Sequence, residues 1–156
     1  MQNKLIYFQR AIKWLTLILM ILSSTMAIAK QDNLVIFTAS KAFSPLSSGK
    51  AKMLFKGKIK RLNNKRVTLL DWPDGSKIKK QFYQDLLGQS EARINVYRAK
   101  LVFSGKGTPP KTVSQNNYSA VKNYIKNKPN SISYALQSMV SKEFTILYIV
   151  PTGDML

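Results

Sequence analysis

The sequence predicts an α/β fold, a small mixed sheet with helices packed on it, and three observations carry that reading. Short apolar runs rich in β-branched and aromatic residues read as strands, while other segments show the three-to-four-residue apolar spacing of helices. Ser, Gly and Pro punctuate the boundaries between them. Their order, β-α-β-α-α-α-β-β, interleaves the two types as an α/β domain does.

Leu34-Val35-Ile36-Phe37 is a continuous apolar run suited to a buried strand. Ser40 to Ser48 is a polar loop broken by Pro45, and Ser48 can cap a short helix over Lys50 to Phe55 that Gly57 stops. Asn63-Asn64 turns the chain into a second strand, Lys65 to Leu70. Ser76 to Leu87 is the clearest helix: Ile78, Phe82 and Leu86 share one stripe, Lys77, Lys80 and Gln84 face elsewhere, and Gly88 ends it. Ser90 caps a helix over about Glu91 to Phe103, with Ile94, Tyr97 and Leu101 inward and Arg98 and Lys100 on the solvated side. Gly105 to Lys111 is a loop without the spacing of a nucleotide-binding Gly-rich loop. A last helix spans about Tyr118 to Asn127, with Val121, Tyr124 and Ile125 inward, and Pro129 closes it. Ile132 to Leu136 and Thr145 to Val150 complete the strands, with Tyr134 as a packing residue.

Residues 1–29 read as a cleavable export signal. Lys4, Arg10 and Lys13 form its basic end, Trp14 to Leu22 its apolar stretch, and Ala27-Ile28-Ala29 the small-x-small peptidase site. The apolar stretch falls short of the roughly 18–20 residues that cross a bilayer. The expected product is therefore periplasmic, without a transmembrane segment, and residues 30–156 form one domain around one core. With no Cys it has no disulfides, and its stability rests on packing. The leader holds three of the 25 basic residues and none of the seven acidic ones, which leaves the domain strongly cationic. The excess is densest from Lys50 to Arg66, where Lys50, Lys52, Lys56, Lys58, Lys60, Arg61, Lys65 and Arg66 occur without an acid. Such a field concentrates anionic partners without identifying them.

The absence of His and Cys and the scarcity of carboxylates exclude most nucleophilic, acid–base and metal constellations. The chain reads as a binding protein rather than an enzyme, with no cofactor or metal. One junction could hold a ligand. Asp71-Trp72-Pro73-Asp74-Gly75-Ser76-Lys77 joins a strand to the clearest helix, and a helix N-terminus presents unpaired N–H groups that favour an oxyanion. Gly75, Ser76 and Lys77 are the candidate ligand-binding residues, as backbone N–H groups, a hydroxyl and an ammonium at a positive helix end. Thr38 and Ser40, after the first strand, are candidates for the same crevice, because ligands of open α/β sheets gather beyond strand C-termini. The plainer alternative is an ordinary capped helix whose Asp74 or Ser76 only satisfies its own backbone.

Several segments carry a resemblance. Met53-Leu54-Phe55-Lys56-Gly57-Lys58-Ile59 resembles the "IFxGKI" segment of periplasmic phosphate-binding proteins, the solute-binding partners of phosphate ABC transporters. Asp74-Gly75-Ser76 stands where that family's Arg-x-Asp-Gly-Ser-Gly-Thr phosphate loop would be, and Asn127 to Tyr134 resembles its "NKPGAIGY" segment. Pro45-Leu46-Ser47, Phe82-Tyr83, Leu87-Gly88-Gln89-Ser90, Tyr97, Ala99 and Phe103 to Lys111 are similar to short, single-lobe exported relatives. Trp72 replaces the family's phosphate-binding Arg, Lys77 and Ile78 its Gly-Thr, Arg98 a Trp, and Ser133 a Gly. The resemblance implies one lobe of a type 2 periplasmic binding protein, with phosphate or a related oxyanion as ligand. It also implies an ABC permease, or a second protein completing the cleft, as partner. One lobe leaves its ligand partly wet, so a dissociation constant of about 0.1–10 mM is expected. The alternative is a basic interaction module on an anionic envelope surface or protein partner, ligand binding having been lost. Nucleic acid is not expected, as no recognition motif is present.

Overall fold

The computed structural model describes residues 32–152; the expected export signal lies outside them. The elements are β1 (Leu34–Thr38), α1 (Ser48–Phe55), β2 (Arg61–Leu62), β3 (Lys65–Arg66), β4 (Thr68–Asp71), α2 (Lys77–Leu87), α3 (Glu91–Phe103), β5 (Lys111–Thr112), α4 (Tyr118–Asn127), β6 (Ser131–Leu136) and β7 (Thr145–Ile149). The class is α/β, as expected. Five strands form a mixed sheet in the order β5-β4-β6-β1-β7. β4 runs parallel to β5 and β6, while β1 is antiparallel to β6 and β7. Among the described residues no helix is long and apolar enough to cross a membrane.

The expected strand Lys65 to Leu70 is two strands. Asn63 and Asn64 both have positive φ, 46° and 61°, the backbone of a tight hairpin turn, so β3 folds back on β2 as a separate two-stranded ribbon. Val67 donates to the Lys60 carbonyl, and β4 enters the main sheet from Thr68. β2 and β5, two residues each, carry no periodicity to reveal them.

Each helix start follows its local chemistry. Ser47, Ser76, Ser90 and Asn117 cap α1, α2, α3 and α4 by accepting an N–H three residues on, so α1 is capped one residue earlier than expected. Gly88 ends α2 in the left-handed conformation, φ 63°, with its N–H on Gln84 O and that of Gln89 on Tyr83 O. On α2 the buried set is Lys79, Phe82, Tyr83 and Leu86, with Ile78 only half-buried. On α3 it is Ile94 and Arg98. Arg98 is thus a buried residue and not the solvated one expected.

Aromatic rings build the core beneath this part of the sheet. Phe82 of α2 stacks on Tyr134 of β6 with ring centres 3.6 Å apart and planes 2° from parallel. Phe55 of α1 meets both rings edge-on at 4.7 and 5.8 Å. β1 and β6 are buried along almost their whole length, so the sheet is anchored at its centre and its β5 edge stays exposed.

Candidate functional site

The apolar run of β4 ends in a carboxylate, Asp71, which is 2% exposed. Burying a charge is costly unless it is paired and hydrogen-bonded, and here it is both. Asp71 Oδ2 accepts from the Tyr83 hydroxyl at 2.7 Å and from Arg98 Nη1 at 3.0 Å, and Lys79 Nζ lies 3.4 Å away. Asp71 Oδ1 accepts from the Tyr134 hydroxyl. Arg98 Nη2 donates to the Phe55 carbonyl at 2.8 Å, and the guanidinium sits over the Tyr83 ring, 4.9 Å from its centre. One carboxylate therefore ties together β4, α2, α3 and β6, with α1 joined through Arg98.

Lys79 carries the network outward. Its Nζ donates to Asp74 Oδ1 at 2.5 Å and lies 3.6 Å from Glu91 Oε1. Burial alone would lower the Lys79 pKa, but Asp71, Asp74 and Glu91 outweigh it and the net shift is upward. Burial raises the Tyr83 and Tyr134 hydroxyls well above the ordinary range, and the Asp71 charge pushes them further, so both remain donors. Burial works against the Arg98 charge, but its Tyr83 and Asp71 neighbours keep its pKa raised.

The hydrogen bond from Lys79, with its charge, holds the Asp74 carboxyl below its ordinary value of 3.8. Asp74 then takes up a proton more readily in the unfolded chain than in the folded one. Its contribution to stability is present above pH 3.8 and is lost as pH falls through the depressed value. Thermal melts of Asp74→Asn should lie below wild type at neutral pH, with the gap closing as pH drops below 3.8. A gap independent of pH would rule out the ion pair as its source.

The junction to α2 has its own occupant. Gly75, at φ 79°, directs its N–H at the Glu91 carboxylate, 3.0 Å from Oε1 and 3.2 Å from Oε2. The Ser76 hydroxyl accepts from Lys79 N at 3.4 Å, and the Lys77 side chain is exposed. Helix geometry leaves the amides of Lys77 and Ile78 without intrahelical acceptors. Asp71, Asp74, Lys79, Asn95 and Arg98 line a cleft of about 360 Å³ beside this junction. Trp72 does not face a ligand: it is buried and donates Nε1 to the Tyr134 carbonyl at 2.7 Å. Among the described residues no three His, Cys, Asp or Glu side chains are grouped to hold a metal ion.

Thr38 and Ser40 do not join this crevice, which corrects the expectation. β1 is antiparallel to β6, and Thr38 pairs with Ile132 at the start of that strand. Because β6 and β4 are parallel, with Ser131 beside Thr68, Thr38 lies at the end of the sheet opposite Asp71. Its hydroxyl is within 2.9 and 2.8 Å of the Pro129 and Ser131 carbonyls, and the Ser40 hydroxyl accepts from Ala42 N. Asp71, Lys79, Tyr83, Glu91 and Arg98 were not among the candidates. A Lys and an Arg on otherwise apolar helix stripes were the signal that a buried carboxylate was waiting for them.

No family model and no curated protein matches the sequence. Solved structures do match. A protein described as a phosphate ABC transporter substrate-binding protein with bound phosphate, from Clostridium perfringens, aligns over 74% of this chain with a TM-score of 0.57 and 15% identity. The chain shares its fold with phosphate-type substrate-binding proteins. An ABC-type phosphate transport receptor from Vibrio cholerae aligns over the same 74% with a TM-score of 0.56 and 15% identity. The match spans only 44% and 45% of those two proteins, which fits one lobe of such a molecule. Both neighbours are described as phosphate transport proteins, one a substrate-binding protein and the other a receptor.

Proposed function

We propose that the chain is an exported, solute-binding-like protein that takes phosphate or a related small oxyanion at the N-terminus of α2, with Gly75, Ser76 and Lys77 as its donors. The observation that carries this reading is the Glu91 carboxylate on the Gly75 amide: the loop already holds an oxyanion, supplied by its own chain. An external oxyanion takes that place. The charge balance sets its affinity. Lys77 and Lys79 favour an anion, while Asp74 and Glu91 oppose it, so wild-type binding is weak and the Glu91 carboxylate is a tethered competitor. Phosphate ABC transport, with a permease or a second protein over the open side, is the setting the shared fold suggests.

Calorimetric titration with inorganic phosphate tests this. Glu91→Ala frees the Gly75 amide and removes a like charge, and should tighten binding about tenfold or more, the worth of one charge-assisted hydrogen bond. Adding Ser76→Ala to that variant should abolish the gain, with melting curves used to confirm that both variants fold. The competing reading, a basic interaction module that has lost its ligand, draws on the same carboxylate, since a filled site needs no solute. Absence of heat with phosphate in both wild type and Glu91→Ala, up to tens of millimolar, would establish that reading instead.

A further inference from the structure

A second region, away from Glu91, gathers cations without acids. Lys60, Arg66 and Lys111, from the loop before β2, from β3 and from β5, rim a cleft of about 320 Å³ whose lining holds no carboxylate. All three are exposed, and no ion pair joins any of them to another described residue. The cleft is not simply polar: Val67, Leu69 and Pro109 contribute apolar walls. Its shape is built in. The loop after α3 folds back so tightly that a Cβ on Gly107 would lie 2.7 Å from Leu101 Cβ, and a Cβ on Gly57, also in the cleft lining, would lie 3.6 Å from Leu101 Cδ1. The Lys106 and Gly107 amides both donate to the Leu101 carbonyl at 2.9 Å.

The same loop carries an apolar feature beside the cations. Pro109 also lines the neighbouring cleft, together with Val102 and Phe103. Phe103 is 91% exposed, at the C-terminal end of α3, with Lys100 and Lys106 close by in the chain. A soluble polyanion would use the cations and leave Phe103 in water. A surface presenting phosphates above an apolar interior uses both, which is the pairing of basic and aromatic residues seen where proteins lie on membranes.

We propose that this face docks on an anionic phospholipid surface, the Lys60–Arg66–Lys111 cleft taking a lipid phosphate and Phe103 entering the acyl boundary. None of the three cations is among the proposed donors at the α2 N-terminus, so the two proposals are tested separately, although Phe103 and Pro109 also line the cleft beside that junction. The test is sedimentation with vesicles of phosphatidylcholine containing about one third phosphatidylglycerol, against vesicles of phosphatidylcholine alone. It uses protein recovered from expression of the full chain, with its N-terminus read by intact mass; every variant shares that N-terminus, so differences among them arise in the domain. Wild type should bind the mixed vesicles and not the neutral ones. The triple variant Lys60→Gln, Arg66→Gln, Lys111→Gln should bind on the order of 100-fold more weakly, from roughly fivefold per cation. Phe103→Ser should cost about tenfold by the area it no longer buries. Neutralising Lys80, Lys126 and Lys142, exposed residues outside this cleft, should have a much smaller effect. Equal binding to neutral vesicles would overturn the proposal. So would an unchanged Phe103→Ser variant, which would leave a soluble polyanion or an acidic protein as the occupant, or an equal loss from the control lysines.

Discussion

Replacing Asp71 with Ala should destabilise the domain by about 3–5 kcal/mol, the usual consequence of breaking a buried ion pair from one side. For a domain of this size that corresponds to a fall in melting temperature of roughly 10–25 °C. The magnitude follows from what is left behind. Arg98 would keep the Phe55 carbonyl and the Tyr83 ring, with Asp71 no longer offsetting its buried charge. The Tyr83 and Tyr134 hydroxyls would each lose their acceptor at nearly fully buried positions. Lys79 would suffer less, because Asp74 and Glu91 remain beside it. Asp71→Asn separates charge from shape: the amide keeps an acceptor oxygen but not the charge, so its loss should fall between wild type and Ala. Urea unfolding with an unchanged m-value measures both. A cost below about 1 kcal/mol for Ala would mean that water replaces the carboxylate and that the site is open to solvent.

Asp71 also decides what the junction can offer a ligand. Its carboxylate engages Arg98, whose guanidinium lines the cleft beside the candidate site, so that fork is committed to the fold and is not free for phosphate. Arg98 and Trp72 mark two departures from the resembling family. The structure puts them in one neighbourhood, the first on Asp71 and the second on the Tyr134 backbone, whose hydroxyl also reaches Asp71. Trp72, at the position where the resemblance expects a phosphate-binding Arg, is buried on the Tyr134 carbonyl. Under the proposed function an oxyanion therefore relies on the loop amides, Ser76 and Lys77, and the Glu91→Ala titration tests that reliance.

Much of the fold was legible because its elements are locally consistent. Ser76 with Gly88, and Ser90 with the Ile94 stripe, mark α2 and α3 at both the capping and periodicity levels. Strand direction was not legible. Nothing in Leu34 to Thr38 distinguishes a strand parallel to β4 from one antiparallel to β6, and that alone sent Thr38 and Ser40 to the wrong end of the sheet. The charged network was hidden for another reason. Lys79 lies three and four residues before Phe82 and Tyr83, and Arg98 four after Ile94, so periodicity places both on buried stripes. For Arg98 the ordinary expectation that a charged side chain faces water overrode that signal. Asp71, a lone acid closing an apolar strand, was the partner that both required.

Tyr134 separates packing from hydrogen bonding at the centre of this network, and its two substitutions should differ by several kcal/mol. Tyr134→Phe keeps the ring stacked on Phe82 and loses only the hydroxyl on Asp71. Asp71 retains Tyr83, Arg98 and Lys79, so the cost should be about 1–2 kcal/mol. Tyr134→Ala removes the ring as well. Phe82, Phe55 and Tyr83 all lose a neighbour within 6.1 Å, in a core where none of the four side chains is more than 1% exposed. The surrounding strands β1 and β4 pair with β6 on both sides and cannot close the gap without breaking the sheet. The expected cost is about 4–5 kcal/mol, the upper end for an aromatic-to-alanine change. Denaturant midpoints of the two variants give the partition directly. A Phe variant as unstable as the Ala variant would mean that the hydroxyl on Asp71, and not the stacked rings, holds β6 against α2.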